Sequence, residues 1–241
     1  MKQIFYLIFF VAIFISCTNN QPGVDEADMS VDKDSGWISL FDGSTTDGWH
    51  SYGKSTIGSN WKVMDSVIYL DTTNKTNGYI PDGGDLTSNE EYENFHLSLE
   101  WKISPAGNSG IMFHVNEDTS KYKASFWTGP EMQILDNKHP DATEKHKAGD
   151  LYDLIASTQR NEKPAGEWNH AEIVCNKGNL SFYLNDVNIV TTIIGDSSWN
   201  AMVAGSKFTE WPDFGTYSKG HIVLQDHGNY VAFRNIKIKV L

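Results

Sequence analysis

Two cysteines in 241 residues leave little room for covalent cross-linking. Cys17 ends an apolar leader, and Cys175 lies inside Ala171-Glu172-Ile173-Val174-Cys175. With Cys17 modified, Cys175 has no intrachain partner, so no disulfide is expected and a buried free thiol is the default. Basic residues are also scarce: 19 Lys plus Arg stand against 31 Asp plus Glu, a net charge of −12. They form no run, which argues against a nucleic-acid partner, because phosphate binding draws on clustered positive charge. Helical periodicity is nearly absent, and only Asp196–Gly205 has it. No P-loop, dinucleotide fingerprint or Gly-x-Ser-x-Gly elbow occurs. The lack of a 20–50-residue repeat disfavours a propeller.

What is present starts with the leader. Lys2 precedes an almost wholly apolar run, Ile4 to Ile15, and then Phe14-Ile15-Ser16-Cys17. The run is too short for a membrane span and reads as a signal peptide over 1–16. Cysteine at the first mature position fits the lipobox, so Cys17 is the expected lipidation site. Residues 17–35 are polar and acidic, a solvated tether. The expectation is an exported lipoprotein, periplasmic or at the cell surface, that meets its membrane through the N-terminal lipid alone. Residues 36–241 form the single domain.

That domain reads as short strands punctuated by Gly, Asn and Asp. Residues 60–64 and 66–70 suggest a hairpin. Along 94–104, Phe95, Leu97, Leu99, Trp101 and Ile103 alternate with His96, Ser98, Glu100 and Lys102, the period-two pattern of a sheet with one buried face. Further strands are expected at 111–115, 130–136, 151–155, 168–175, 180–184, 187–194, 221–225 and 230–240. Asn176-Lys177-Gly178-Asn179 makes a hairpin turn. Many strands with almost no helix predict an all-β fold, a sandwich or jelly roll of antiparallel sheets. Eight Trp in a chain 12% aromatic fit such a core, and would equally serve as stacking surfaces for sugar rings.

Alternation also sorts the candidate functional residues. In Gly129-Pro130-Glu131-Met132-Gln133-Ile134-Leu135-Asp136, Glu131 and Gln133 share one face while Met132 and Ile134 enter the core. Asp136 joins the polar face only through a bulge. The spacing resembles the Glu-x-Asp-x-x-Glu strand of laminarinase-like glycosidases, with Gln133 where the central Asp would stand. An amide cannot tune a neighbouring carboxylate by repulsion, which weakens an ordinary retaining mechanism. Gly107-Asn108-Ser109-Gly110 permits a tight turn with Asn108 and Ser109 facing a ligand, and His114 follows on the face of Met112. Gln225 and His227 share a face with Val223, and His227 is a candidate proton carrier. The segment 136–141, with Glu144, His146 and Asp150 beyond, concentrates oxygen and imidazole groups. It has no compact ligand spacing, so a solvated loop is favoured over a divalent cation, and no cofactor is expected.

Taken together, these segments resemble the 3-keto-disaccharide hydrolase domain family. The resemblance is carried by Leu40-Phe41-Asp42-Gly43, Trp61-Lys62-Val63, Tyr92-Glu93-Asn94-Phe95, Glu100-Trp101-Lys102, Gly107-Asn108-Ser109-Gly110-Ile111, Glu131 to Asp136, and Gly149-Asp150-Leu151-Tyr152. Leu224-Gln225-Asp226-His227-Gly228 and Phe233-Arg234-Asn235-Ile236 complete it. It implies a concanavalin A-like jelly roll that cleaves glycosides already oxidised to a ketone at sugar C3. Such a ketone acidifies the C2 hydrogen, so elimination followed by hydration gives net hydrolysis. The route needs a base, an acid and donors for the C3 oxyanion. Glu131 and His227 are the candidates for base and acid, and Gln133, Gln225 and Asn108 for amide donors. Ser109, His114, Tyr152, Arg234 and Glu100 are candidates for substrate binding. Two other readings stay open. A non-catalytic carbohydrate-binding lipoprotein would keep Trp127, Trp211 and Tyr152 as stacking platforms, and a conventional endo-glucanase would cleave the plain sugar.

Overall fold

Residues 95–103 show why the chain becomes a sandwich. Phe95, Leu97, Leu99, Trp101 and Ile103 are all at most 2% exposed, so each odd position has left water. At roughly 1.5–3 kcal/mol per fully buried large apolar side chain, this one strand face fixes the register of its neighbours. The computed structural model of the chain describes residues 31–32 and 36–241. The leader, Cys17 and most of the tether lie outside them.

In chain order the strands are β1 (Val31–Asp32), β2 (Trp37–Ser39), β3 (Trp49–Ser51), β4 (Trp61–Met64), β5 (Val67–Leu70), β6 (Leu86–Tyr92) and β7 (Phe95–Ile103). They continue as β8 (Asn108–Val115), β9 (Glu131–Leu135), β10 (Asn169–Asn176), β11 (Asn179–Leu184), β12 (Val187–Ile193), β13 (Gly220–Leu224) and β14 (Val231–Val240). One sheet runs β1-β2-β14-β7-β10-β11-β12, with β5 also on β14 and β4 on β5; the other runs β3-β6-β13-β8-β9. Every pairing is antiparallel among the described residues. The core lies between the sheets, where Ile111, Phe113, Met132, Ile134, Ile222 and Leu224 of the five-stranded sheet meet the odd face of β7. The fold is the all-β jelly-roll sandwich of two antiparallel sheets that the sequence predicts.

Local chemistry explains the joints. The hairpins β4–β5, β10–β11 and β11–β12 turn on Asp65-Ser66, Lys177-Gly178 and Asn185-Asp186, each pair at positive φ, the turn whose twist matches that of the strands. The predicted helix is α1 (Ser197–Ala204), with the Asp196 carboxylate accepting from Trp199 N at 2.7 Å.

Three expectations fail locally. Gly107-Asn108-Ser109-Gly110 is not a tight turn: Asn108 to Gly110 open β8 and pair with β9, so Asn108 and Ser109 point to opposite faces. Residues 151–155 are not a strand: Leu151 bridges to both Met132 and Ile155, around Asp153 at φ 60°. This loop instead covers the free edge of β9. Gly149 N donates to Gln133 O at 2.9 Å, Gln133 N to Asp150 O at 3.0 Å, and Tyr152 N to Glu131 O at 3.0 Å. Alternation also breaks in β8. Val223 pairs with Met112 and His221 with Val115, so Phe113 and His114 together oppose Ile222. The extra residue is a β-bulge, with His114 at φ 52°. It returns Val115 to the face of Met112 and turns His114 inward. Gly220 permits the close approach, since a Cβ there would lie 2.5 Å from His114 C.

Candidate active site

The outer face of the five-stranded sheet carries a hollow of about 200 Å³, lined by Asn108, Glu131, Gln133, Tyr152, Gln225 and His227, with Phe126, Gly129, Lys207 and Phe208 closing it. Six of the residues singled out in the sequence therefore converge. Cross-strand register accounts for the first three: Gly110 pairs with Gln133 and Met112 with Glu131, so β8 and β9 present these positions on one face. Gln225 N donates to Gly110 O at 2.9 Å, which continues the β13–β8 ladder beyond β13 and delivers Gln225 to the same face.

Glu131 lies at the centre. Its side chain crosses the sheet over Gly110, where a Cβ would stand 1.8 Å from Glu131 Oε1. The carboxyl thus occupies the space of the missing side chain and is only 6% exposed. Burial pushes its pKa up to about 8; Lys207 pulls it down and Asp85 adds to the rise. Amide orientation is assigned from hydrogen-bond partners. Turned to satisfy its neighbours, the Gln133 amide donates to Glu131 Oε1 at 3.0 Å and to Ser109 O at 3.3 Å.

His227 stands at the rim, exposed on its outer side. Desolvation of its inner edge holds its pKa below the ordinary value, His139 adds to the lowering, and Asp141 and Asp226 oppose it. Its loop is clamped through Asp226, which accepts from Gly84 N and Gly228 N, each at 2.8 Å. Asp85 returns the clamp by accepting from Asp226 N at 2.9 Å and from Ser125 Oγ. Burial raises the Asp85 carboxyl to about 6, although both hydrogen bonds oppose the rise. On the other wall, Lys207 Nζ donates to Tyr152 OH at 3.0 Å.

Four expected residues lie elsewhere. Ser109 shares the inward parity of Ile111, is fully buried, and donates its hydroxyl to Gln225 O at 2.8 Å. His114, turned in by the bulge, meets Glu93 O through Nε2 at 2.9 Å and packs against the Phe95 and Phe113 rings. Burial there lowers its pKa. Glu100 and Arg234 belong to the nine-stranded sheet, where they pair across β7 and β14 with Nε to Oε2 at 2.6 Å. The Arg234 guanidinium also covers Trp168 at 4.1 Å. They anchor the last strand on the face opposite the hollow, because parity alone could not tell which sheet a polar face belongs to.

The oxygen-rich loop is internally paired. Asp150 is fully buried and accepts from Lys147 N at 2.8 Å, from Ser157 N at 2.7 Å, and from Arg160. His146 faces Asp153 at 3.1 Å, and Asp136 accepts from Ala106 N at 2.8 Å. Among the described residues, a metal-capable trio converging within 4.8 Å is His170, Glu172 and Asp186, on the nine-stranded sheet. Lys207, Phe126, Phe208 and Asp85 join or support the site with no sequence signal. Phe126 lies in the 3-10 turn Ser125–Trp127, Lys207 and Phe208 in the 3-10 turn Lys207–Glu210, and Asp85 just before β6, and only tertiary packing brings these segments to β9.

A family model described as the 3-keto-alpha-glucoside-1,2-lyase-like domain matches residues 36–239. A "3-keto-disaccharide hydrolase" of Bacteroides thetaiotaomicron is 37% identical over 253 aligned positions, covering 96% of this chain and 87% of the relative. A Parabacteroides distasonis protein assigned as a glycosyl hydrolase superposes with TM-score 0.78 at 31% identity, over 87% of this chain and 96% of its own. A second structure from that organism, at 24% identity and TM-score 0.63, shares the fold.

Proposed function

The chain belongs to the 3-keto-alpha-glucoside-1,2-lyase-like family, and from that premise we propose that it hydrolyses 3-keto-glycosides, 3-keto-disaccharides among them, by elimination and then hydration in the Glu131 hollow. One observation carries the reading: the same hollow holds a carboxyl raised to about 8 and an imidazole whose pKa is lowered. At neutral pH the first is an acid and the second a base, and environments that push two groups apart in this way assign their roles.

His227 takes the proton from C2 of the oxidised sugar, and the electron pair forms an enolate with its charge on the C3 oxygen. The amides of Asn108, Gln133 and Gln225 and the ammonium of Lys207 offer donors and positive charge to that oxyanion. The enolate expels the C1 oxygen as Glu131 delivers a proton to it, leaving an enone and a free alcohol. Water then adds to C1; the Glu131 carboxylate receives the water's proton, and His227, whose exposed ring has exchanged its proton with solvent, returns one to C2. The balance is one glycosidic C–O bond cleaved and one water consumed, using protein groups alone. We also propose that the domain works outside the cytoplasm on the Cys17 anchor.

The test is turnover of a 3-keto-disaccharide and its plain counterpart in deuterium oxide. The expected result is cleavage of the keto sugar alone, with one deuteron at C2. Cleavage without label at C2 refutes the elimination route, and undiminished turnover by Glu131→Gln removes Glu131 from the mechanism.

A further inference from the structure

A second hollow lies beside the first, behind its Phe126 and Phe208 wall. It holds about 250 Å³ and is lined by Lys121, Tyr122, Trp127, Glu210, Trp211 and Asp213. Trp211 lines only the second hollow and backs the wall between the two. Its ring meets Phe126 edge-on at 5.2 Å and Phe208 at 6.0 Å, and both phenylalanines line the Glu131 hollow. Trp211 also runs nearly parallel to Trp127, with ring centroids 6.5 Å apart and planes 24° apart. Both indoles are only half-buried. Asp213 accepts from Tyr122 OH at 2.9 Å and pairs with Lys121 at 2.8 Å, which holds the rim in place. Two flat apolar faces beside a few fixed polar groups is the make-up of a small-ligand site.

We propose that this second hollow is the leaving-group subsite, where a second, uncharged sugar ring rests against Trp127 and Trp211 while the oxidised ring occupies the Glu131 hollow. The inference rests on the reading of the Glu131 hollow given above. That hollow, at about 200 Å³, falls below the roughly 300 Å³ at which drug-sized pockets begin. It has room for one ring, so the rest of a disaccharide must lie beyond it. The C–H-bearing face of a pyranose is the natural partner of an indole face. The carboxylate of Glu210 stands exposed at the rim and disfavours an acidic sugar there. Binding the departing ring holds the glycosidic oxygen toward Glu131, so the contact contributes to orientation as well as to affinity.

Trp127 does not line the Glu131 hollow, so Trp127→Ala separates the two sites. The experiment compares kcat/KM of the full chain on a 3-keto-disaccharide and on methyl 3-keto-glucoside, whose leaving group has no ring. Trp127→Ala is expected to lower kcat/KM on the disaccharide about tenfold more than on the methyl glycoside. Trp127→Phe should recover most of the difference, which a purely structural role would not produce. Equal losses on both substrates, or an unchanged ratio, overturn the subsite and leave the Glu131 reading intact. Failure of the unsubstituted protein to turn over either keto sugar overturns both.

Discussion

Gly110→Ala tests the centre of the site with one methyl group. A Cβ at Gly110 would stand 1.8 Å from Glu131 Oε1, 2.5 Å from Cδ and 2.8 Å from Cγ. Ordinary contact begins near about 3.5 Å, so the carboxyl must retreat by roughly 1.7 Å. The obstructed atoms belong to a flexible side chain and not to backbone, so Glu131 swings away and the strand stays. Replacing glycine in a strand returns about 0.5–1 kcal/mol of backbone entropy, which offsets the repacking and keeps the melting temperature near that of the parent. Activity responds differently, because a misplacement of about 1 Å costs on the order of 100-fold in rate. The swing also breaks the 3.0 Å contact between Gln133 and Glu131. The assay is kcat on methyl 3-keto-glucoside beside a thermal melt by circular dichroism. A folded Gly110→Ala protein with parental kcat would refute the placement of Glu131 over Gly110, and with it the role given to that carboxyl.

Glu131→Gln carries a pH signature. The Glu131 pKa is raised from 4.5 to about 8 on folding, so between those values the native state holds a proton that the unfolded chain has released. Stability from this group is fully present below pH 4.5 and is lost as pH rises toward 8. The Gln variant should therefore gain on the order of 3 kcal/mol at pH 7 and show a flatter denaturant midpoint from pH 5 to 8; parallel midpoint curves count against the buried carboxyl. In the parent, kcat should fall above about pH 8 as the acid ionises, and a rate that climbs through pH 8 would reverse the acid and base roles. Asp150→Ala strips acceptors from Lys147 N and Ser157 N and leaves Arg160 unpaired. A loss of roughly 2–4 kcal/mol in urea unfolding is expected, and less than 1 kcal/mol would show that the loop covering β9 is held by other means. Glu100→Gln, on the opposite sheet, should leave turnover within about twofold of the parent, and a large fall in kcat on the keto sugar would place Glu100 in the reaction after all.

Alternation is a local property of the chain, and what depends on it was legible in the sequence. The buried face of β7, the outward parity of Glu131 and Gln133, and the short helix α1 all follow from residues a few positions apart, whose geometry the backbone period fixes. Parity states that a side chain leaves the core, not which sheet it leaves from. Glu100 and Arg234 therefore looked like companions of Glu131 although they stand on the far face. One added residue reverses parity, as the bulge at His114 does, and no composition signal marks it. The hollow itself was decided only in three dimensions. Lys207, Phe126, Phe208 and Asp85 come from short 3-10 turns and a loop distant in sequence, and the burial that lifts Glu131 is a property of their packing around it. The sequence determined the two-sheet fold and the outward direction of the candidate acid. Tertiary structure decided what surrounds that acid, because desolvation and close approach exist only once distant segments meet.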